Sequence, residues 1–207
     1  GEKYGFYLEN DIRNPLGVYG KSKAAGEIAV EEAFANTASS RFAIFRTSWV
    51  YGDGGNFIRT MLRLAKDREE LKVINDQHGV PTSAEWLAQI SLDLVLDYQG
   101  RLKQFPSGIY HAVPVGETTW HGLATFAVQA ALNAGVELKA RPAAIKPILA
   151  VEYPLPAPRP MNSRMDHSKL RKTLENQGCM AKLDSIDEPW SIAVQDYIHA
   201  LAKDGLI

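Results

Sequence analysis

Apolar residues recur along this chain with two different periods. In six segments they return every three to four positions, which predicts amphipathic helices. Between these segments stand short apolar runs that predict buried strands. Because strands that alternate with helices are typical of one fold class, the sequence predicts an α/β protein. The helices are expected to begin near Val18, Phe57, Thr82, Thr118, Asp166 and Pro189.

The predicted strands are FAIFR at 42–46, LKVI at 71–74, GIYHAVPV at 108–115 and AIKPILA at 144–150. Pro147 cannot donate a ladder hydrogen bond, so the last strand is expected at the edge of a sheet. The segment 151–163 carries four prolines and predicts a long loop without regular structure.

Capping side chains precede two of the predicted helices. Thr82 and Glu85 have the spacing of a capping box. Thr118 or Thr119 is expected to cap the following helix, which should end at Gly135.

Composition narrows the class of protein. The chain has 207 residues, a net charge of −1 and a single cysteine, Cys179. A net charge so close to zero gives no electrostatic reason to expect nucleic acid or an anionic membrane as a partner. No run of 18 apolar residues and no signal-peptide pattern is present, and one cysteine is compatible with a reducing compartment. We therefore expect a cytoplasmic protein with no membrane partner.

Tyr19 and Lys23 stand four residues apart at the start of the first predicted helix. This spacing places both side chains on one helical face. A phenol can donate a proton to a carbonyl that is being reduced, and an ammonium group within roughly 4–6 Å favours the phenolate. The same ammonium can hold a ribose hydroxyl of a cofactor. The spacing alone is equally compatible with two solvated side chains or with a tyrosine that packs against the fold.

Other chemistries find less support in the sequence. The five histidines do not have zinc-binding spacing, and no G-x-S-x-G motif indicates a hydrolase. The glycine-rich segment GDGGNF departs from the dinucleotide pattern G-x-G-x-x-G, since Phe57 stands where the third glycine is required.

Five segments occur in an order that is typical of one enzyme family: NPLGVYGKSKAAGE, FRTSWVYGDGGNF, DQHGVPT, TTWHGLA and PAPRPMNSRMD. Over residues 6–198 the chain resembles the dTDP-4-dehydrorhamnose reductases, which are extended short-chain dehydrogenases. RTSWVYG and RPMNSRM are the segments most particular to that family, and Gly17 and Met165 are small departures from it. The resemblance implies NADPH or NADH as cofactor, Mg2+ as a further candidate, a dTDP-sugar substrate and a homodimer.

The resemblance also implies an architecture. It predicts the latter part of a Rossmann-like doubly wound parallel sheet and a smaller, mixed α/β substrate-binding lobe. Residues 1–75 would finish the dinucleotide-binding fold and carry the Tyr-Lys pair. Residues 76–207 would form mainly the substrate lobe, with about 83–115 returning to the main sheet.

Three site residues follow from the same resemblance, and three more from the chemistry of their loops. Tyr19 corresponds to the family's proton donor and Lys23 to its cofactor-contacting partner, so both are expected to contact the cofactor. Trp49 corresponds to the aromatic residue that borders the sugar nucleotide, and packing in the core is its alternative. Asn56 is expected as a ligand contact or as part of a structural turn. In the proline-rich loop, Arg159 and Asn162 are expected to meet the nucleotide, the alternative for the arginine being solvation.

A G-x-x-G-x-x-G loop is absent from the sequence. In the family this loop and a catalytic Ser or Thr precede the Tyr-Lys pair. We therefore expect the chain to be a C-terminal portion that lacks the glycine-rich half and is inactive alone. Two alternatives stay open at this point: another nucleotide-sugar epimerase or dehydratase, and a non-catalytic regulatory subunit of the same superfamily.

Overall fold

The computed structural model describes residues 3–37, 39–154, 156–157, 159–178 and 184–207. Cys179 lies outside the described residues. The main helices are α1 (Val18–Phe34), α2 (Phe57–Asp67), α3 (Ala84–Val95), α4 (Trp120–Asn133), α5 (Ser168–Asn176) and α6 (Trp190–Lys203). No helix in these ranges is both long enough and apolar enough to span a membrane.

The strands pair two by two. They are β1 (Ala43–Arg46), β2 (Val50–Tyr51), β3 (Leu71–Ile74), β4 (His78–Gly79), β5 (Thr82–Ser83), β6 (Gly108–His111), β7 (Thr118–Thr119) and β8 (Ile145–Ile148). β1 pairs with β6, β2 with β5 and β3 with β8, all in parallel, while β4 and β7 are antiparallel. Parallel strands linked through helices confirm the predicted α/β class.

The proline in β8 has the position that its chemistry requires. Pro147 stands opposite Val73 in the β3–β8 pair, and β3 is the one neighbour of β8 within the described residues. The prediction of an edge strand is confirmed. The proline-rich loop begins differently from the prediction, because Ala150–Glu152 form a 3-10 turn before the first proline.

The capping box predicted at Thr82 is wrong by one residue. Thr82 pairs with Val50 in β5 and is fully buried. Its neighbour Ser83 is the N-cap, and the Ser83 Oγ accepts a hydrogen bond from the Trp86 backbone nitrogen at 3.4 Å. Thr82 is therefore part of strand β5, and Ser83 caps the helix.

The following helix agrees with its prediction more closely. The Thr119 Oγ1 accepts a hydrogen bond from the Gly122 backbone nitrogen at 3.0 Å and so caps α4. Gly135, at φ +82°, follows the last turn in the left-handed region that glycine adopts without strain.

Buried side chains form two clusters. The larger lies among α2, β3, α4, β8 and α6 and includes Ile58, Leu62, Val73, Leu123, Ala127, Ile145, Val194 and Ile198. The smaller lies among α3, β6 and α5 and includes Ile90, Leu94, Tyr110, Leu170, Leu174 and Ile186. The division of the chain near residue 75 stays a prediction.

Candidate active site

The Tyr-Lys pair lies in the first two turns of α1, on one face as its spacing predicts. The Lys23 Nζ lies 5.7 Å from the centroid of the Tyr19 ring. The Tyr19 side chain is 76% exposed, so the phenol is open to a ligand. The geometry is that of a proton donor next to a cation, while the catalytic role itself stays a prediction.

Ion pairs connect α1 to its surroundings, and the helix buries none of its residues. Glu27 Oε1 accepts a hydrogen bond from Arg46 Nε at 2.8 Å, and Oε2 accepts one from Arg46 Nη2 at 2.6 Å. Oε2 also accepts a hydrogen bond from Arg13 Nε at 2.7 Å, and Arg13 Nη2 reaches Glu31 at 2.8 Å. The two arginines hold the pKa of Glu27 below its usual range, with Arg46 the larger cause. The carboxylate is therefore ionised near neutral pH.

A shallow pocket of about 240 Å³ opens beside Lys23. Glu27, Arg46 and His111 line it from α1 and the carboxyl ends of β1 and β6. His111 is 1% exposed, and its Nδ1 donates a hydrogen bond to the Asp166 carbonyl at 3.0 Å. Burial lowers the pKa of His111, so this side chain is neutral near pH 7.

Trp49 follows β1 by three residues and has a constrained geometry. Its φ of +45° is the one positive value among the non-glycine residues that the structure describes. The indole stacks on Trp120, with ring centroids 3.8 Å apart and 16° between the planes. A Cβ added at Gly79 would stand 2.5 Å from the indole Cε2, so only glycine leaves room for the ring. Backbone strain of this kind concentrates at functional sites, which favours the ligand interpretation without settling it.

A larger cavity of about 460 Å³ lies next to Trp120. Its walls are mainly apolar: Phe57, Met61, Leu64, Leu71, Val73, Ile74, Trp120, Ile148 and Tyr153. Arg159 joins Arg68 and Lys72 in supplying positive charge to the lining. This volume and this mixture of aromatic and cationic groups are typical of small-molecule sites.

Sequence reasoning missed several residues of this cavity. Gln77 is 7% exposed, and its Oε1 accepts a hydrogen bond from Trp120 Nε1 at 3.2 Å. Tyr153 stands at the rim of the same cavity. Gln77 lies in DQHGVPT and Trp120 in TTWHGLA, two segments that carry the family resemblance, whereas Tyr153 precedes the first proline of the proline-rich loop. No periodicity or spacing singled out these side chains.

Asn56, a predicted ligand contact, has a structural role in this fold. Its Oδ1 accepts a hydrogen bond from the Arg59 backbone nitrogen at 3.0 Å and so caps α2. Its Nδ2 donates to the Gly52 carbonyl and to the Tyr197 hydroxyl, both at 2.8 Å. These contacts correspond to the structural turn that the sequence left open as the alternative. A ligand role stays a prediction.

Asn162 is likewise engaged within the chain. It is 6% exposed, and its Nδ2 donates to the carbonyls of Lys3 at 2.6 Å and Gly5 at 2.7 Å. Its Oδ1 accepts hydrogen bonds from the Arg164 backbone nitrogen at 3.0 Å and from Arg164 Nε at 2.8 Å. The amide connects the proline-rich loop to the N-terminal loop. Its contact with a nucleotide stays a prediction.

No group of three His, Cys, Asp or Glu side chains in the described ranges is placed to hold a metal ion. The Mg2+ that the resemblance implies therefore stays a prediction.

Comparison with known proteins gives one consistent result. The family model for the RmlD substrate binding domain matches residues 1–200. The dTDP-4-dehydrorhamnose reductase of Shigella flexneri is 46% identical over 167 residues, which are 80% of this chain and 53% of that protein. The chain spans about half the length of the curated relatives it matches.

Two solved structures have a similar fold. A dTDP-4-dehydrorhamnose reductase from Clostridium acetobutylicum gives a TM-score of 0.73 at 30% identity. The match covers 97% of this chain and 61% of that reductase. The dTDP-4-dehydrorhamnose reductase of Bacillus anthracis, solved in complex with NADP, gives a TM-score of 0.70 at 30% identity. That match covers 93% of this chain and 58% of the reductase. These similarities confirm the Rossmann-like α/β fold class that the resemblance implies.

Proposed function

Because this chain belongs to the RmlD substrate binding domain family, we propose that the protein containing it reduces the 4-keto group of dTDP-4-dehydro-L-rhamnose to give dTDP-L-rhamnose. The observation that carries the proposal is the position of the Lys23 ammonium, 5.7 Å from the Tyr19 ring, in a chain 46% identical to a named reductase. The epimerase, dehydratase and regulatory alternatives are not favoured, because the relatives described above are reductases.

Each member of the pair has a separate task in this proposal. The nicotinamide cofactor, NADPH or NADH, supplies a hydride to the carbonyl carbon when bound. Tyr19 donates the proton that the carbonyl oxygen takes up. Lys23 stabilises the resulting phenolate and holds a ribose hydroxyl, since an ammonium group is both a charge and a triple donor. The exposure of Tyr19 leaves its hydroxyl free for this transfer.

The walls described above suggest where the substrate lies. We place the sugar against Trp49 and the nucleotide in the cavity beside Trp120. An aromatic wall can stack on a thymine ring, and Arg159 can pair with a phosphate through two parallel hydrogen bonds. A dTDP-sugar has both of these parts, a flat base and a diphosphate.

Wider properties belong to the same proposal. We propose that residues 1–75 complete the dinucleotide-binding fold and that 76–207 form mainly the substrate lobe. We also propose that the protein works in the cytoplasm as a homodimer and contributes to polysaccharide biosynthesis.

Direct assay of the intact natural protein tests the function. With dTDP-4-dehydro-L-rhamnose and NADPH or NADH we expect cofactor oxidation and an equal amount of dTDP-L-rhamnose, measured by absorbance and chromatography. Epimerisation of a nucleotide sugar without net cofactor consumption, in place of this reaction, would contradict the proposal.

Gly79→Ala tests whether Trp49 borders the substrate. The added methyl group must displace the indole, because it would stand 2.5 Å from Cε2. We expect the KM for the dTDP-sugar to rise about tenfold, since small displacements of positioning groups are costly, with little change in the KM for the cofactor. Gly55→Ala is the matched control, because a Cβ there meets nothing within 4 Å. Equal changes in both KM values, or none, would assign Trp49 to packing alone.

A further inference from the structure

Glu27 stands one helical turn after Lys23, at the spacing where a lysine and a glutamate on a helix normally attract each other. An ion pair between them would draw the Lys23 ammonium away from Tyr19. In the structure Lys23 instead lies over the Tyr19 ring, at 5.7 Å from its centroid. The described residues therefore hold the lysine on the tyrosine in the presence of a competing carboxylate.

The competing carboxylate is already fully engaged. Arg46 takes both oxygens of Glu27 through a two-armed contact, and Arg13 adds a third hydrogen bond to Oε2. The side chain of Glu27 is 15% exposed and that of Arg46 is 21% exposed, so water screens the pair only partly. With Glu31 bound to Arg13, two positive and two negative charges balance in this network.

The second carboxylate of the pocket is paired in the same way. Asp11 lines the pocket with Lys23, and its Oδ2 contacts Lys3 Nζ at 2.6 Å and the Leu8 backbone nitrogen at 2.8 Å. The remaining polar side chains that line it are His111, Tyr7, Arg13, Asn14 and Arg46, none of which is an anion near pH 7. Both carboxylates that line this pocket are therefore paired with a cation other than Lys23.

We propose that Arg46, assisted by Arg13, is a positioning residue that occupies the Glu27 carboxylate and so keeps the Lys23 ammonium on Tyr19. This inference rests on the proposed roles of Tyr19 and Lys23. Glu27 attaches α1 to β1 through Arg46, and α1 buries no residue of its own. Because Arg46 binds the Glu27 carboxylate, Glu27 can attach α1 to β1 without drawing Lys23 away from Tyr19.

The experiment compares Arg46→Met with the double variant Arg46→Met/Glu27→Gln in the intact natural protein. Arg46→Met frees Glu27 Oε1, and we expect kcat to fall about tenfold as Lys23 turns to the carboxylate. The double variant removes the competing charge, and we expect kcat to return to within about threefold of wild type. If the network only attached α1 to β1, kcat would not recover in the double variant, since both variants lack the contact between Arg46 and Glu27.

A second readout does not depend on activity. Crystal structures of both variants should show Lys23 Nζ within ion-pair distance of Glu27 in Arg46→Met and next to Tyr19 in the double variant. If the protein lacks reductase activity and Lys23 still moves in this way, the positioning role stands and the proposed function fails. If Tyr19→Phe abolishes reduction while Lys23 stays in place in Arg46→Met, the function stands and the positioning role fails.

Two further variants supply a substitute for Arg46→Met and a control. Should Arg46→Met not fold, Arg13→Met removes one of the three hydrogen bonds to Glu27 while Arg46 stays bound, so Lys23 should move in the same direction to a smaller extent. Arg171→Met is the matched control, because Arg171 makes a comparable two-armed contact with Asp187 outside the pocket beside Lys23. The pair is more exposed than that of Arg46 with Glu27, so the variant should lower stability less and leave kcat unchanged. If Lys23 turns toward Glu27 in neither arginine variant, the inference is wrong.

Discussion

Tyr19→Phe is expected to lower kcat for reduction by about 10²- to 10⁴-fold, the usual contribution of a positioned proton donor. The phenylalanine keeps the ring and removes only the hydroxyl. Since the ring is 76% exposed, the loss should leave the melting temperature close to that of wild type. Steady-state kinetics with dTDP-4-dehydro-L-rhamnose, together with thermal unfolding, measure both quantities in the intact natural protein.

The control for this substitution is Tyr98→Phe. Tyr98 is 89% exposed, and its hydroxyl accepts a hydrogen bond from the side chain of the adjacent Gln99. Removal of that hydroxyl should leave kcat unchanged. A Tyr19→Phe protein that reduces the substrate at a rate close to wild type would remove Tyr19 from the mechanism.

Asn162→Ala is expected to destabilise the fold by about 2–4 kcal/mol, because it breaks four hydrogen bonds of a buried amide and leaves partly buried partners unsatisfied. The carbonyls of Lys3 and Gly5 lose their donor, and Arg164 loses the acceptor of its backbone and side-chain groups. Urea unfolding of wild type and variant gives the difference in the free energy of unfolding.

The matched control is Asn10→Ala, since Asn10 is exposed and its side chain makes no hydrogen bond to the residues that the structure describes. We expect that change to alter stability by less than about 0.5 kcal/mol. An Asn162→Ala protein of wild-type stability that binds the dTDP-sugar poorly would restore the ligand role predicted from the sequence.

Local patterns predicted much of the fold. The strand at 71–74 occupies the predicted residues, and α2 begins at Phe57 as expected. The two-residue strands β2, β4, β5 and β7 were not predicted, because two residues carry no detectable period. Thr82 was assigned to a cap because its sequence neighbours fit one, whereas its pairing with Val50 comes from a strand 32 residues earlier.

The candidate site likewise contains contacts that the sequence predicted and contacts that it did not. A spacing of four residues sufficed to place Tyr19 and Lys23 on one face, since helical geometry relates them directly. The stack of Trp49 on Trp120 joins residues 71 positions apart in the chain. No local pattern in the sequence predicts which residue such a side chain contacts.

What the sequence determined by itself was therefore the α/β class, the six main helices, the four longer strands, and the contact of the Tyr-Lys pair. Each of these depends on the period of a single element. Tertiary structure alone decided that Asn162 joins two loops, that Glu27 is taken by arginines from outside its helix, and that Trp49 rests on Trp120 above Gly79. The physical reason is that hydrogen bonds, ion pairs and ring stacking act over a few ångströms in space, and only the folded chain brings these distant residues so close.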